Sequence, residues 1–443
     1  MLKTKEELKG LTKETIIKIS ELKKEPLWMR EFRLQAYEKF LQAPLPSFGP
    51  NLKIDFKNIL YYKSVEDKVH QDWKNVSPKV RETFEKIGIP EAEKKYLGGT
   101  HAQYESEVIY SSMLNYIKEK GVIFLDTDSA LKEYPDLFKK YFNNLVKDEE
   151  NKFTSLNSSV WSGGTFIYVP KGIKVKRPLQ SYFRMNTKDM GQFERTIIIV
   201  DDGGELDYIE GCTALTYLTD SLHAAVVEIY VGKNARCRYT TIQNWAPNIY
   251  NLVTKRAIVE EGGLMEWIDG NIGSKVNMKY PSIILKGPYS RGTCITIAVA
   301  DKNQIQDTGA KMIHLAPHTK SNILSKSIVR GGGEAIYRGT VNITKEAFNS
   351  YSNVQCDTVI LDKESKSDAL PKNIVSNKSS VLEHEATVSK ISEEQLFYLM
   401  SRGINNEKAT ELIIMGFIET FRQELPLEYA VELNKLLKNE LSC

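Results

Sequence analysis

The sequence predicts a mainly β protein: a core of stacked β coils, a solenoid, between two helical ends. Three observations carry this. From about residue 156 to 388 the pattern has a period of two, with runs of Val, Ile, Thr and Tyr separated by Gly, Asn and Asp turns. Before and after that stretch, apolar residues fall at helical spacing. Within the β region one shape recurs: "VDDGGELDY" (200–208), "VGKNARCRY" (231–239), "VEEGGLMEW" (259–267) and later "VRGGGEAIY" (329–337). Each is a Val, a polar turn containing Gly, and a segment ending in an aromatic. The first three end 239 − 208 = 31 and 267 − 239 = 28 residues apart. Recurrence at such a period suggests coils stacked one on the next. A β-sandwich is the alternative that so few weak repeats leave open.

In chain order, residues 1–155 read as a mainly helical N-terminal domain. "SPKVRETFEKIGIP" (77–90) has a Ser-Pro start and a Gly-Ile-Pro stop. "SEVIYSSMLNYIKEKG" (106–121) and "ALKEYPDLFKKYFNNLV" (130–146) have helical spacing, and the short apolar "VIFLD" (122–126) between them reads as a strand. Residues 156–388 are the β core. Residues 389–443 turn helical again. Ser392 with Gln395 makes a capping-box pattern before "LFYLM", Gly403 ends that helix, Asn405 caps the next, and Pro426 opens the last. The middle of these helices is apolar over much of its surface, from Leu412 to Phe421, so part of it meets the β region or a partner protein.

Composition narrows the function. The 443 residues are 26% charged and 41% hydrophobic, with a formal net charge of +3, so nothing demands nucleic acid or an anionic membrane. The basic "KGIKVKRP" (171–178) is first of all a solvated turn. Apolar runs are strand-length, far below the ~20 residues of a membrane span. "MLKTKEELKG" lacks the apolar centre of a signal peptide, so a cytoplasmic protein is expected. The five cysteines, 212, 237, 294, 356 and 443, are dispersed. They read as free thiols, and a structural zinc site is not expected.

The residues with chemical potential lie late in the β region. Cys356 sits in "SYSNVQCDTVILD", where alternation puts it on one face with Val354 and Thr358. By itself such a cysteine is a small buried hydrophobe. However, "SSVLEHEATVSK" (379–390) follows, with Glu383 and Glu385 pointing one way and His384 the other. His384 lies 384 − 356 = 28 residues after Cys356, the length of one coil. In a solenoid that makes thiol and triplet neighbours, and thiolate with imidazole or carboxylate is a donor set for iron. A rival reading takes Glu383 and Glu385 as a general acid/base pair on carbohydrate.

Other polar residues occupy strands. Arg184 and Asn186 share a face in "FRMN", and Cys237, Tyr239, Gln243 and Trp245 share one in "CRYTTIQNW". Glu194 opens an apolar strand and Cys212 closes "YIEGC". If buried, such groups must be paired, which suggests a network or channel; otherwise they face solvent. Two features carry no site. His314 and His318 are spaced i,i+4 but separated by Pro317, and Gly331–Gly333 lacks the Gly-Lys-Ser/Thr end of a phosphate loop.

Long stretches resemble a known family. They are "SVWSGGTFIYVPKGIKVKRPLQSYFRMN", "FERTIIIVDDGGELDYIEGCTA", "LHAAVVEIYVGKNARCRYTTIQNW" and "SKSDALPKNIVSNKSSVLEHEATVSKISEEQLFYLMSRG", with "EPLWMREFRLQAYEKF" near the start. The sequence resembles the SufB/SufD family of the SUF iron–sulfur cluster assembly system, and within it the SufB scaffold subunits. The resemblance implies a right-handed parallel β-helix core with N-terminal and C-terminal helical domains. It implies a scaffold, not an enzyme, that builds a transient cluster, of four irons and four sulfides, from iron and persulfide sulfur for transfer to acceptor proteins. The implied partners are the ATPase SufC on the C-terminal helices, SufD or a second SufB copy, and a cysteine desulfurase system. Reduced flavin is associated with the family's complex, although no flavin fingerprint is present. The family's assembly residues fall on Cys356, Glu383, His384 and Glu385, and its sulfur-accepting cysteine on Cys212. Its interior sulfur path falls on Arg184, Asn186, Glu194, Gln243 and Trp245. One departure is clear: many relatives carry an N-terminal cysteine motif, and no cysteine precedes Cys212 here.

Overall fold

A computed structural model describes residues 6–66, 68–425, 429–430 and 433–434. The chain is mostly β, 40% strand against 24% helix, built on a parallel β-solenoid of about eight turns with helices at both ends. The recurring shape marks the coil corners. Val200, Val231 and Val259 end strands of one sheet, and Glu205, Arg236 and Leu264 begin strands of the other. The turns between need a left-handed residue, supplied by Gly203 (φ 67°), Asn234 (φ 53°) and Gly262 (φ 66°).

Successive coils pair in register along one long sheet. Glu205 stands beside Arg236, then Leu264, Arg291, Lys320, Tyr351 and Val381. One coil is therefore 291 − 264 = 27 to 236 − 205 = 31 residues long. The parallel ladder stacks like residues, so Tyr208, Tyr239 and Trp267 pack together inside, edge-on and tilted at 64° and 59°, with centroids 4.9 and 5.1 Å apart. Core aromatics of this size contribute about 3–5 kcal/mol each when truncation to Ala is the measure.

The N-terminal region is less helical than its spacing predicts. "SEVIYSSMLNYIKEKG" is a strand, Glu107–Met113, followed by one short helix, Asn115–Lys118. The strand pairs antiparallel with Gly99–Tyr104, which pairs in parallel with Leu179–Met185 and so extends the solenoid sheet. β-branched Val108 and Ile109, buried in that sheet, override the helical period. The helix Pro78–Ile87 starts after Ser77 and stops at left-handed Gly88, as expected. Pro90 then lies in the first turn of a second helix, Ile89–Lys95, and Pro135 splits the next into Thr127–Glu133 and Pro135–Tyr141. "VIFLD" is a strand, Ile123–Asp126. The boundary at 155/156 falls inside the helix Lys152–Val160, whose face packs on the solenoid through Phe153, Leu156 and Val160.

At the other end, Ser392 and Asn405 accept the expected capping hydrogen bonds, from Gln395 N (3.2 Å) and Lys408 N (2.9 Å). The apolar helix breaks into Asn406–Phe417 and Glu419–Gln423. Ile414, Ile418 and Phe421 bury against Ile242, Ile268 and Ile297 on the outside of the solenoid. The helix expected after Pro426 lies largely outside the described residues, as does Cys443.

Candidate functional site

The last two strands of the long sheet, Tyr351–Ile360 and Val381–Lys390, create the first cluster of interest. Their register sets Cys356 beside Ala386, an offset of 386 − 356 = 30. His384 therefore stands beside Val354, two residues back on the face that Cys356 shares. The thiol and the imidazole meet: Cys356 Sγ is 3.8 Å from His384 Nε2. Asn373 Nδ2 lies 3.1 Å from His384 Nδ1; with the amide in this orientation it donates, which assigns the ring proton to Nε2, facing the sulfur. Turning the Asn373 amide over would reverse the tautomer and free Nε2 for a metal. Burial, then the Asp357 carboxylate, pushes the Cys356 thiol up to about 11. Burial also holds His384 below the usual imidazole range. Both side chains are thus neutral at pH 7, and a metal bound by the sulfur would have to displace the thiol proton.

The carboxylates of the triplet lie on the other face of the strand, as alternation requires. Glu383 accepts from the Tyr351 hydroxyl at 2.6 Å, and Glu385 is exposed. Cys356 and His384 are brought together; Glu383 and Glu385 are not brought to the thiol.

Cys212 is in the opposite condition. It is 0% exposed, and its thiol donates to Glu210 Oε1 at 3.8 Å. Burial, then the Glu210 and Glu194 carboxylates, pushes the thiol well up, against a pull from Lys255 and Lys279. Glu194 bonds His223 Nε2 at 2.7 Å, and His223 Nδ1 meets Asn251 Oδ1 at 2.6 Å. Asn251 Nδ2 donates to Gln243 Oε1 at 2.9 Å, and Lys279 Nζ reaches the same oxygen at 3.2 Å. Trp245 packs on His223, ring centroids 4.7 Å apart. Burial would lower the His223 imidazole, but Glu194 and Asn251 overcome it and raise it. Glu194, Gln243 and Trp245 thus join one buried network around Cys212.

Arg184 and Asn186 do not belong to it. Phe183 and Met185 cluster with Cys212, so Arg184 points to the opposite face. There it bonds Asn186 Oδ1 and Thr213 Oγ1, each at 2.7 Å, while Asn186 donates to the Tyr104 hydroxyl at 2.8 Å. The expectation that this pair lines the interior is corrected to an outer network against the N-terminal region.

Sequence reading missed the middle of the interior. Lys255, Asp269 and Lys279 are all buried, with Asp269 Oδ1 3.4 Å from each ammonium. Burial, repulsion by Lys255 and incomplete relief by Asp269 lower Lys279 to about 8. Lys255 and Lys279 share Asp269, and the Glu210 carboxylate also acts on Lys279, so the interior holds cations and carboxylates side by side away from solvent. The signal was present as Lys and Asp at inward positions of apolar strands. One register row runs through the region: Ser181, Glu210, Thr241, Asp269, Thr296, Ser325 and Cys356 stand side by side. Thr241 accepts from Lys255 at 2.8 Å, and Thr296 donates to Ser325 at 3.0 Å. The polar run that includes Glu210, two residues from Cys212, therefore reaches Cys356, beyond which the row ends at Ala386 on the last strand. His314, by contrast, is held between Thr319 and Ser321, and His318 stands on a left-handed turn, so the two histidines share no site.

Among the described residues no group of three or more His, Cys, Asp and Glu side chains is placed to hold a metal ion. No helix among them is long and apolar enough to cross a membrane. Comparison with known proteins gives a consistent result. Residues 183–417 match the SufBD core domain of the SUF iron–sulfur cluster assembly system, and residues 11–181 match the SufBD N-terminal region. The iron–sulfur cluster assembly protein SufB of Bacillus subtilis is 56% identical over 98% of this chain and 93% of its own length. A SufBD family protein of Staphylococcus epidermidis is 57% identical over the same shares. The chain belongs to the SufB/SufD family of iron–sulfur cluster assembly proteins.

Proposed function

We propose that this protein is an assembly scaffold on which iron and persulfide-derived sulfur are joined at Cys356 and His384 before the cluster passes to an acceptor. The observation that carries the reading is the row of inward polar side chains from Glu210, beside the sealed Cys212, to Cys356 at the open end. Cys212 accepts sulfur as a persulfide. Sulfur then moves inward past Glu194, Gln243 and the Lys255–Asp269–Lys279 group, whose buried ammonium groups can face a sulfur anion. Arg184 and Asn186 act outside the wall, bracing the strand that neighbours Cys212. Converting sulfane sulfur to sulfide takes two electrons from a donor in the complex, for which reduced flavin is the expected class. Cys356 and His384 supply two ligands, with Glu383 or Glu385 joining if the last strand shifts, and a partner subunit completes the set. Imidazole and carboxylate hold a cluster less firmly than thiolate, which suits a cargo of iron and sulfide that must leave.

The partners follow the surfaces. The last strand leaves a backbone edge open, with Val381 and Val388 exposed, fit for SufD or a second copy. Phe397, 74% exposed, Tyr398 and Met400 project from the C-terminal helices beside a cleft of about 770 Å³ lined by Leu399, Leu412 and Phe417. That surface fits the ATPase SufC, whose hydrolysis would shift the helices and open the edge. On this reading the protein works in the cytoplasm with a cysteine desulfurase as sulfur source.

The test is anaerobic reconstitution with iron and sulfide in the presence of SufC, followed by visible absorption and Mössbauer spectroscopy. Wild type should form the cluster; Cys356→Ala should not, and His384→Ala should retain little. A cluster of undiminished yield on Cys356→Ala would sink the proposal.

A further inference from the structure

Behind Cys356 lies a polar group that the path above does not use. Tyr337 ends the strand Glu334–Tyr337, is 5% exposed, and belongs to the same interior cluster as Cys294 and Cys356. Its hydroxyl is buried and makes no hydrogen bond. Buried phenols normally find a partner, and an unmade bond costs about 1–3 kcal/mol. The phenol lies within electrostatic reach of both Cys356 and Cys294, yet it bonds neither. Gly339 presses on its tip: a Cβ there would collide with the hydroxyl. The backbone is thus shaped to admit a phenol O–H at a place where the empty protein offers it nothing.

We propose that Tyr337 is a positioning residue whose hydroxyl donates a hydrogen bond to the anionic outer sulfur of a persulfide on Cys356, in a position that Cys294 also lines. This rests on Cys356 being the thiol at which sulfur collects. The persulfide forms when the Cys356 thiolate attacks the outer sulfur of an incoming persulfide or polysulfide. A new S–S bond joins that sulfur to Cys356. The donor's S–S bond breaks, and its electron pair leaves on the donor sulfur, which takes up the proton that Cys356 gave. No net oxidation or reduction occurs. The added sulfur extends the side chain by about 2 Å, and this extension has to bring it to the hydroxyl that the thiol leaves unbonded. A donor satisfied only in the loaded state favours that state.

The full-length protein, treated anaerobically with limiting inorganic polysulfide, tests this. Persulfide on the Cys356 peptide is read by mass spectrometry after alkylation, in wild type, Tyr337→Phe and Gly339→Ala. Tyr337→Phe keeps the ring and Gly339→Ala keeps the hydroxyl but displaces it. Both should carry about tenfold less persulfide at Cys356, the size of one hydrogen bond to an anion, with unchanged circular dichroism. Wild-type occupancy in Tyr337→Phe overturns the proposal, as does absence of persulfide on wild-type Cys356. Should Tyr337→Phe fail to fold, Gly339→Ala decides in the same way. Tyr337-dependent persulfide together with normal cluster yield on Cys356→Ala would overturn the scaffold role of Cys356 and leave the sulfur position standing.

Discussion

Cys212 and Cys356 lie on the same sheet, with four strands between theirs, in opposite surroundings. Around Cys212 aromatic rings, a buried Glu194–His223 pair and the lysine–aspartate group leave the residue 0% exposed. Around Cys356 one wall is missing, because the strand beyond it is the last and its outer side is bare. The thiol is 6% exposed only because His384 and its neighbours cover it. The difference teaches that a solenoid makes two kinds of site from one repeat. Its middle can hold charge away from solvent; its end can hold a reactive group that a partner caps.

The largest test of that contrast is alkylation of the native protein with iodoacetamide, followed by peptide mapping. Cys356 should label, faster as pH rises toward its value of about 11. Cys212 should label about a thousandfold more slowly or less, since it reacts only when the solenoid opens, at a cost of about 5 kcal/mol or more. Equal rates would erase the distinction.

Next in size is the interior charge. Asp269→Asn leaves Lys255 and Lys279 without a carboxylate in a site closed to water. Urea unfolding should show a loss of about 3–5 kcal/mol. A loss below about 1 kcal/mol would mean that water already reaches the group.

Acid should then find the sealed regions first. His101, stacked on Phe124 at 3.7 Å, is lowered by burial to about 3, and His314 to about 4, from 6.5. Between these values and 6.5 the unfolded chain binds protons that the folded chain refuses. Stability therefore rises with pH across that window and is lost as pH falls through it. Each histidine accounts for a few kcal/mol at most. His101→Gln should flatten the stability–pH curve measured by urea midpoints from pH 7 to 4; an unchanged slope would refute the assignment.

Smaller effects belong to the open end. Asn373→Ala removes the bond that orients His384 and should weaken iron binding about tenfold, the usual effect of a residue that orients a metal ligand, with little change in stability. Glu385→Gln, on the exposed outer face, should move stability by less than about 0.5 kcal/mol.

Much of this was legible in the chain. The Val–turn–aromatic repeat marked the coil corners because parallel stacking brings the same residue types together at every turn. Alternation within "LEHEA" correctly split His384 from Glu383 and Glu385. The 28-residue spacing pointed to the right strands but missed the register by two, because coil length varies from 27 to 31 and the last coil has 30. Alternation also paired Arg184 with Asn186, but it cannot say which face is inside. "SEVIYSSM" has a helical period and is a strand, because its β-branched residues found an edge of the solenoid sheet to pair with.

By itself, then, the sequence pointed to stacked β coils between helix-bearing ends and set Cys356 and His384 about one coil apart, since these follow from local period, turn chemistry and residue type. Only the tertiary structure decided which polar residues are sealed inside, that Lys255 and Lys279 share Asp269, that one row joins Glu210 to Cys356, and that the Tyr337 hydroxyl is buried without a hydrogen bond. Those facts depend on register between strands about thirty residues apart in the chain, and a shift of one residue would turn each of these side chains to the other face.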